Sequence, residues 1–83
     1  MKLLYFAWVR EMTGVAEEEA TPPDGIVTAG DLMAWLATRD EGYATAFAEA
    51  DLIRIALDRA HAEAGEPIAG VREIAFFPPM TGG

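Results

Sequence analysis

Val71-Arg72-Glu73-Ile74-Ala75-Phe76-Phe77-Pro78-Pro79 reads as a β-strand with its own stop. Successive strand side chains point to opposite sides, so Ile74 and Phe76 share one face while Glu73, Ala75 and Phe77 share the other. Pro78 and Pro79 cannot donate backbone hydrogen bonds and end the ladder. At the far end of the chain, Lys2 to Val9 (Lys-Leu-Leu-Tyr-Phe-Ala-Trp-Val) is aliphatic and aromatic and too short for a buried helix. It reads as a strand apolar on both faces, with Leu3, Tyr5, Ala7 and Val9 pointing one way and Leu4, Phe6 and Trp8 the other. If the two strands are neighbours, Leu4, Phe6, Trp8 and Phe77 form an apolar patch opposite Tyr5, Ile74 and Phe76.

Between these strands the pattern changes several times. Arg10 to Gly14 fits a turn, and Val15 to Thr21 is a weak acidic strand that can pair back as a hairpin. Glu17 to Glu19 suit an exposed sheet edge, where charge discourages foreign pairing. Pro22-Pro23-Asp24-Gly25 breaks the chain. Thr28 can cap a helix of about 28–38, with Asp31 in a capping box and Leu32, Trp35 and Leu36 on one stripe. Gly42 interrupts that pattern, and Tyr43 to Ala50 suggests a shorter helical piece. Leu52 to Asp58 alternates as a half-buried strand, and His61 to Ile68 reads as a turn-rich connection. The sum is an α+β domain over 1–83, a mixed sheet with one main helix packed on one face. Such a sheet leaves one side uncovered unless the Tyr43–Ala50 piece closes it.

Eighty-three residues make one domain, without room for a second catalytic domain or a large substrate cavity. No cysteine and one histidine exclude a disulfide scaffold, a thiolate site and the usual transition-metal sets. Fourteen acids against six Lys and Arg leave a net charge of −8, which repels phosphate backbones and anionic lipid and attracts a basic protein partner. Nucleic acid and membrane are therefore not expected partners. No apolar run approaches a membrane span and the start is a poor signal peptide, so a cytoplasmic protein is expected.

The chemistry points to the end of the chain. Gly82-Gly83 is the thinnest peptide that can enter a narrow cleft, and it presents a carboxylate on a flexible arm, about 78–83, aimed by Pro78-Pro79. A frayed terminus is the plain alternative. Elsewhere the signals are thin: His61 is alone in a polar stretch, acids such as Asp58 and Glu63 are too numerous to pair meaningfully, and the chain has no serine. Nothing in the sequence catalyses by itself.

The start Leu-Leu-Tyr-Phe-Ala-Trp-Val-Arg-Glu (3–11) and the end Ile-Ala-Phe-Phe-Pro-Pro-Met-Thr-Gly-Gly (74–83) resemble the MoaD-type sulfur carriers, the small subunits of molybdopterin synthase. The resemblance implies a ubiquitin-like β-grasp fold with the first and last strands as central parallel neighbours. It implies that an E1-like adenylyltransferase, using ATP, couples the Gly83 carboxylate to AMP, and that a sulfur donor protein converts it to a thiocarboxylate. The carrier would then pass sulfur to cyclic pyranopterin monophosphate in the large subunit, within a heterotetramer of two small and two large subunits, with no cofactor bound to the carrier. Thr81 and Gly82 would thread with Gly83, while Phe6, Trp8, Phe77, Pro78 and Met80 would meet the partners. The chain departs from relatives at Ala56-Leu57-Asp58-Arg59, where many carry an Ala-Val-Asn-Gln type segment, and at His61, where an apolar patch residue is expected. Thiamine-type carriers and ubiquitin-related modifiers also end in Gly-Gly, but the Phe-Phe-Pro-Pro stop argues against both; a ubiquitin-like binding module whose Gly-Gly end is never activated is the remaining alternative.

Overall fold

The computed structural model describes residues 1–79. The five strands are β1 (Lys2–Tyr5), β2 (Glu17–Glu19), β3 (Arg54–Leu57), β4 (Ala60–Ala62) and β5 (Glu73–Phe77). The helices are α1 (Ala7–Thr13), α2 (Ala29–Leu36) and α3 (Glu41–Phe47), and a 3-10 turn at Ala50–Leu52 leads into β3. The sheet order is β2-β1-β5-β3-β4. β1 and β5 run parallel at its centre, with Lys2, Leu3, Leu4 and Tyr5 opposite Glu73, Ile74, Ala75 and Phe76, and the other pairs are antiparallel. This is the mixed sheet of a β-grasp domain, and the expected central pairing is present.

All three helices lie on the face of Leu3, Tyr5, Ile55, Ile74 and Phe76. Val9 of α1, Leu32, Met33 and Leu36 of α2, and Tyr43, Ala46 and Phe47 of α3 join those strand residues in one buried cluster. Its centre is aromatic: Tyr5 stacks on Phe76 at 5.8 Å, and Phe47 meets Phe76 edge-on at 5.2 Å. Burying each such side chain stabilises the fold by about 1.5–3 kcal/mol, which explains why packing suffices without a disulfide. The Tyr43–Ala50 region thus covers the same face as α2, and among the described residues no helix covers the other face of the sheet.

Helix α2 begins where its sequence says. The Thr28 hydroxyl accepts from the Asp31 N–H at 3.1 Å, and the Asp31 carboxylate accepts from the Thr28 N–H at 3.1 Å, closing the capping box. Helix α3 starts at Asp40, whose carboxylate accepts from the Tyr43 N–H at 3.0 Å.

Three expectations are corrected. The strand expected over 2–9 stops at Tyr5, Ala7 turns the chain at φ +51°, and residues 7–13 form α1, closed by Gly14 at φ +85°. A short apolar run satisfies both periods, and burial decided for the helix because α1 delivers Val9 to the core. Trp8 is consequently a helix residue, half-buried against the core, and not a member of the strand's open face. The expected connection from His61 begins as strand: β3 and β4 form a hairpin whose two turn residues, Asp58 and Arg59, have φ +48° and +73°. Two positive φ values in a two-residue loop are the type I′ geometry that matches strand twist.

Candidate functional site: the open face of the sheet and the exit of the chain

The uncovered face is built in rows across the strands. Parallel and antiparallel partners point the same way, so Leu4, Ala75, Ala56 and His61 form one row across β1, β5, β3 and β4. One step toward the exit of β5, Phe77 stands opposite Arg54. Phe6 retains extended backbone angles and donates its N–H to the Phe76 carbonyl at 3.1 Å, which sets it beside Phe77. Leu4, Ala56, Ala75, Phe77, Pro78 and Pro79 are half-buried, and Phe6 is 45% exposed. The result is an apolar strip at the end of the sheet where the chain leaves β5.

The backbone bond to Phe76 holds Phe6 in that position, and the turn that follows it carries local strain. An L-residue in the left-handed region costs about 1–2 kcal/mol, and Ala7 adopts it at the abrupt change from β1 to α1. That change frees Phe6 from the helix while α1 folds onto the core face.

The opposite end of the open face is ionic. Lys2 pairs with Glu17 at 2.9 Å, and the hydrogen bond and charge of Glu17 hold its ammonium above the ordinary lysine value. Asp58 accepts from the N–H groups of Arg72 and Glu73 at 3.0 Å each, so its carboxylate caps the start of β5 and is a structural group. Arg59 reaches Glu73 only at 3.8 Å, from a side chain that is 89% exposed.

Phe6, Phe77 and Pro78 are therefore gathered at one end of the sheet, and Trp8 is turned away from it. Met80, Thr81, Gly82 and Gly83 lie outside the described residues. Sequence reading missed α1, β4 and the Asp58 cap. Gly14, following Trp8 and Met12 at i, i+4 spacing, was the available sign of α1, whereas nothing local marks a type I′ turn at Asp58-Arg59.

A 2-1-5-3-4 mixed sheet, helices confined to one face and a chain end leaving the central strand beside an exposed aromatic define a ubiquitin-like β-grasp domain. The ThiS family matches residues 3–83, and the chain belongs to that family. It is 32% identical to the molybdopterin synthase sulfur carrier subunit of Escherichia coli over 83 residues, which is 100% of this chain and 99% of that protein. Among solved structures it is similar to SAMP1 from Haloferax volcanii, with TM-score 0.72 and 28% identity over 100% of this chain and 98% of that one. It is also similar to a putative molybdopterin converting factor, subunit 1, from Pyrococcus furiosus, with TM-score 0.72 and 26% identity over 95% of each chain. Among the described residues no helix is long and apolar enough to cross a membrane.

Proposed function

We propose that this chain is the sulfur carrier of a molybdopterin synthase and that Gly83 is its reactive residue. The observation that carries the reading is the pairing of a Gly-Gly end with an apolar strip, Leu4, Phe6, Ala75 and Phe77, at the point where the chain leaves the sheet. Membership of the ThiS family and full-length similarity to sulfur carrier subunits support it. A carboxylate is a poor electrophile. An E1-like adenylyltransferase would join the Gly83 carboxylate to the α-phosphate of ATP and release pyrophosphate, making AMP a leaving group. A sulfur donor protein would then displace AMP and leave a thiocarboxylate. The open face would dock on the large subunit, Thr81 and Gly82 would thread the tail with Met80 and Pro78 at its base, and sulfur would pass to cyclic pyranopterin monophosphate. Docking makes that transfer effectively intramolecular, which is the contribution of a carrier without its own active site. The reading implies a cytoplasmic protein in a heterotetramer of two carriers and two large subunits.

The similarity to SAMP1, a small archaeal modifier protein, favours a second reading, in which activated Gly83 is joined to an amine of another protein. Co-expression with the adenylyltransferase of the same genome, followed by intact-mass measurement, tests activation: one C-terminal oxygen is replaced by sulfur. Reconstitution of that product with the large subunit and the pterin precursor then yields molybdopterin. Thiocarboxylate without molybdopterin, or adducts on lysines of other proteins, would refute the first reading in favour of another carrier pathway or the modifier. A chain that stays unmodified would leave only the binding module.

A further inference from the structure

The exit end of the open face is not apolar throughout. Its outer row runs Phe6, Phe77, Arg54, so the strip changes from aromatic to cationic in crossing from β5 to β3. Arg54 alternates with buried Ile53 and Ile55 and is itself exposed on the open side. Lys2 pairs with Glu17 at 2.9 Å, Arg39 with Glu18 at 2.8 Å and Arg59 with Glu73 at 3.8 Å, whereas Arg10, Arg54 and Arg72 form no ion pair among the described residues; of these three only Arg54 lies in a strand, since Arg10 belongs to α1 and Arg72 precedes β5. Among the described residues Arg54 makes no ion pair, although acids far outnumber bases in the chain. Asp51 and Glu63 line the same shallow depression as Arg54 and His61, without forming an ion pair with Arg54.

An unpaired guanidinium beside an apolar strip constrains whatever covers that strip. A partner seated on Phe6 and Phe77 must take Arg54 partly out of water, and a desolvated charge without a counter-charge opposes binding. The planar fork of a guanidinium is matched best by a carboxylate, which can accept two parallel hydrogen bonds. The general field of the chain points the other way, since a net charge of −8 draws a basic surface. The partner's docking surface is therefore patterned: basic at its periphery, apolar opposite β1 and β5, and acidic at one position opposite β3.

We propose that Arg54 is a specificity-determining residue of the docking face, pairing with an Asp or Glu carboxylate on the protein that receives the tail. This rests on the reading of the open face as the docking surface. Like-charge contact at that position would reject carriers or partners of other pathways.

Binding of the full chain to the large subunit of the same genome, measured by calorimetry at low and moderate salt, tests the assignment. Arg54→Glu is expected to weaken binding by about tenfold or more, and Arg54→Ala by less, with a reduced salt dependence for Arg54→Ala. Arg54 is exposed, so both variants are expected to melt with the wild type. Replacing the facing carboxylate of the large subunit by Arg should restore binding to Arg54→Glu. Phe6→Asp serves as the reference for the face itself. If Arg54→Glu binds like the wild type while Phe6→Asp does not, the Arg54 assignment is overturned and the docking face stands. If Phe6→Asp also binds normally, or the wild type does not bind, the functional reading itself has failed.

Discussion

Glu18 shows how one side chain joins an edge strand to the core. Its neighbours Glu17 and Glu19 face solvent, but Glu18 turns inward and its side chain is only 17% exposed. It accepts from the hydroxyls of Tyr5 and Tyr43 at 2.7 and 2.6 Å and from Arg39 at 2.8 Å, while Arg39 lies 4.6 Å over the Tyr43 ring. Burial pushes the carboxyl pKa up, but the hydrogen bonds from Tyr43, Arg39 and Tyr5 together outweigh it and hold the value below the ordinary carboxylate range. Burial and the bond to Glu18 also push the Tyr43 phenol up to about 12, so it remains a donor at neutral pH. Glu18→Gln is expected to cost about 1–3 kcal/mol in urea unfolding at neutral pH, because the acceptor loses its charge while the donors remain. A lowered folded pKa gives stability that is complete above the unfolded value, about 4.5, and lost as pH falls through the folded value. The gap between wild type and variant should accordingly shrink in acid.

Arg59 makes the contrasting case, a residue in an unfavourable conformation with little in return. At φ +73° it occupies the turn position that glycine suits, and its contact with Glu73 is long and exposed. Arg59→Gly should raise stability by up to about 1 kcal/mol, the relief of left-handed strain less the entropy glycine adds to the unfolded chain. Thermal melting of the two proteins checks the sign. The same substitution of Arg for glycine hid the hairpin from sequence reading, since Asp-Arg does not announce a type I′ turn.

Secondary elements were legible in proportion to how local their causes are. Helix α2 was read at Thr28 because its capping box lies within four residues, and β5 because alternation and Pro78-Pro79 are both local. Helix α1 was not, because whether residues 6–9 continue β1 or turn depends on distant partners: Val9 needs the core, and the end of α1 needs α3. Gly42 of α3 lies against the backbone of α1 at Met12. A Cβ there would collide with the Met12 carbonyl oxygen, and neither backbone can yield cheaply. Helix propensity alone says Gly42→Ala should stabilise α3 by about 1 kcal/mol. The clash is the larger effect, so the variant should instead lose about 1–3 kcal/mol, measurable as a lower melting temperature. What sequence reading took as an interruption of a helix is a contact surface between two.

At the scale of the whole molecule, the two ends of the sequence carried most of the fold. Alternation within the two end segments showed which residues share a face, while the parallel pairing of β1 with β5, which brings Phe6 and Phe77 together at the exit, was implied by the family resemblance and not by the patterns themselves. The chemistry of the other half of that face was not legible, because Arg54 and His61 join it only through the registers of β3 with β5 and β4.

The central parallel pair also has a mechanical meaning. Tension applied through residue 2 and residue 77 enters the sheet at opposite ends of β1 and β5, and the strands lie side by side. Pulling them apart slides one along the other, so the hydrogen bonds between Lys2–Tyr5 and Glu73–Phe77 bear the load together. They are not opened one after another, as they would be in a hairpin pulled from its open end. A partner that grips the chain beyond Phe77 and draws on it thus pulls against the sheet in its stiffest direction, with Tyr5 and Phe76 locked behind the bonds that resist.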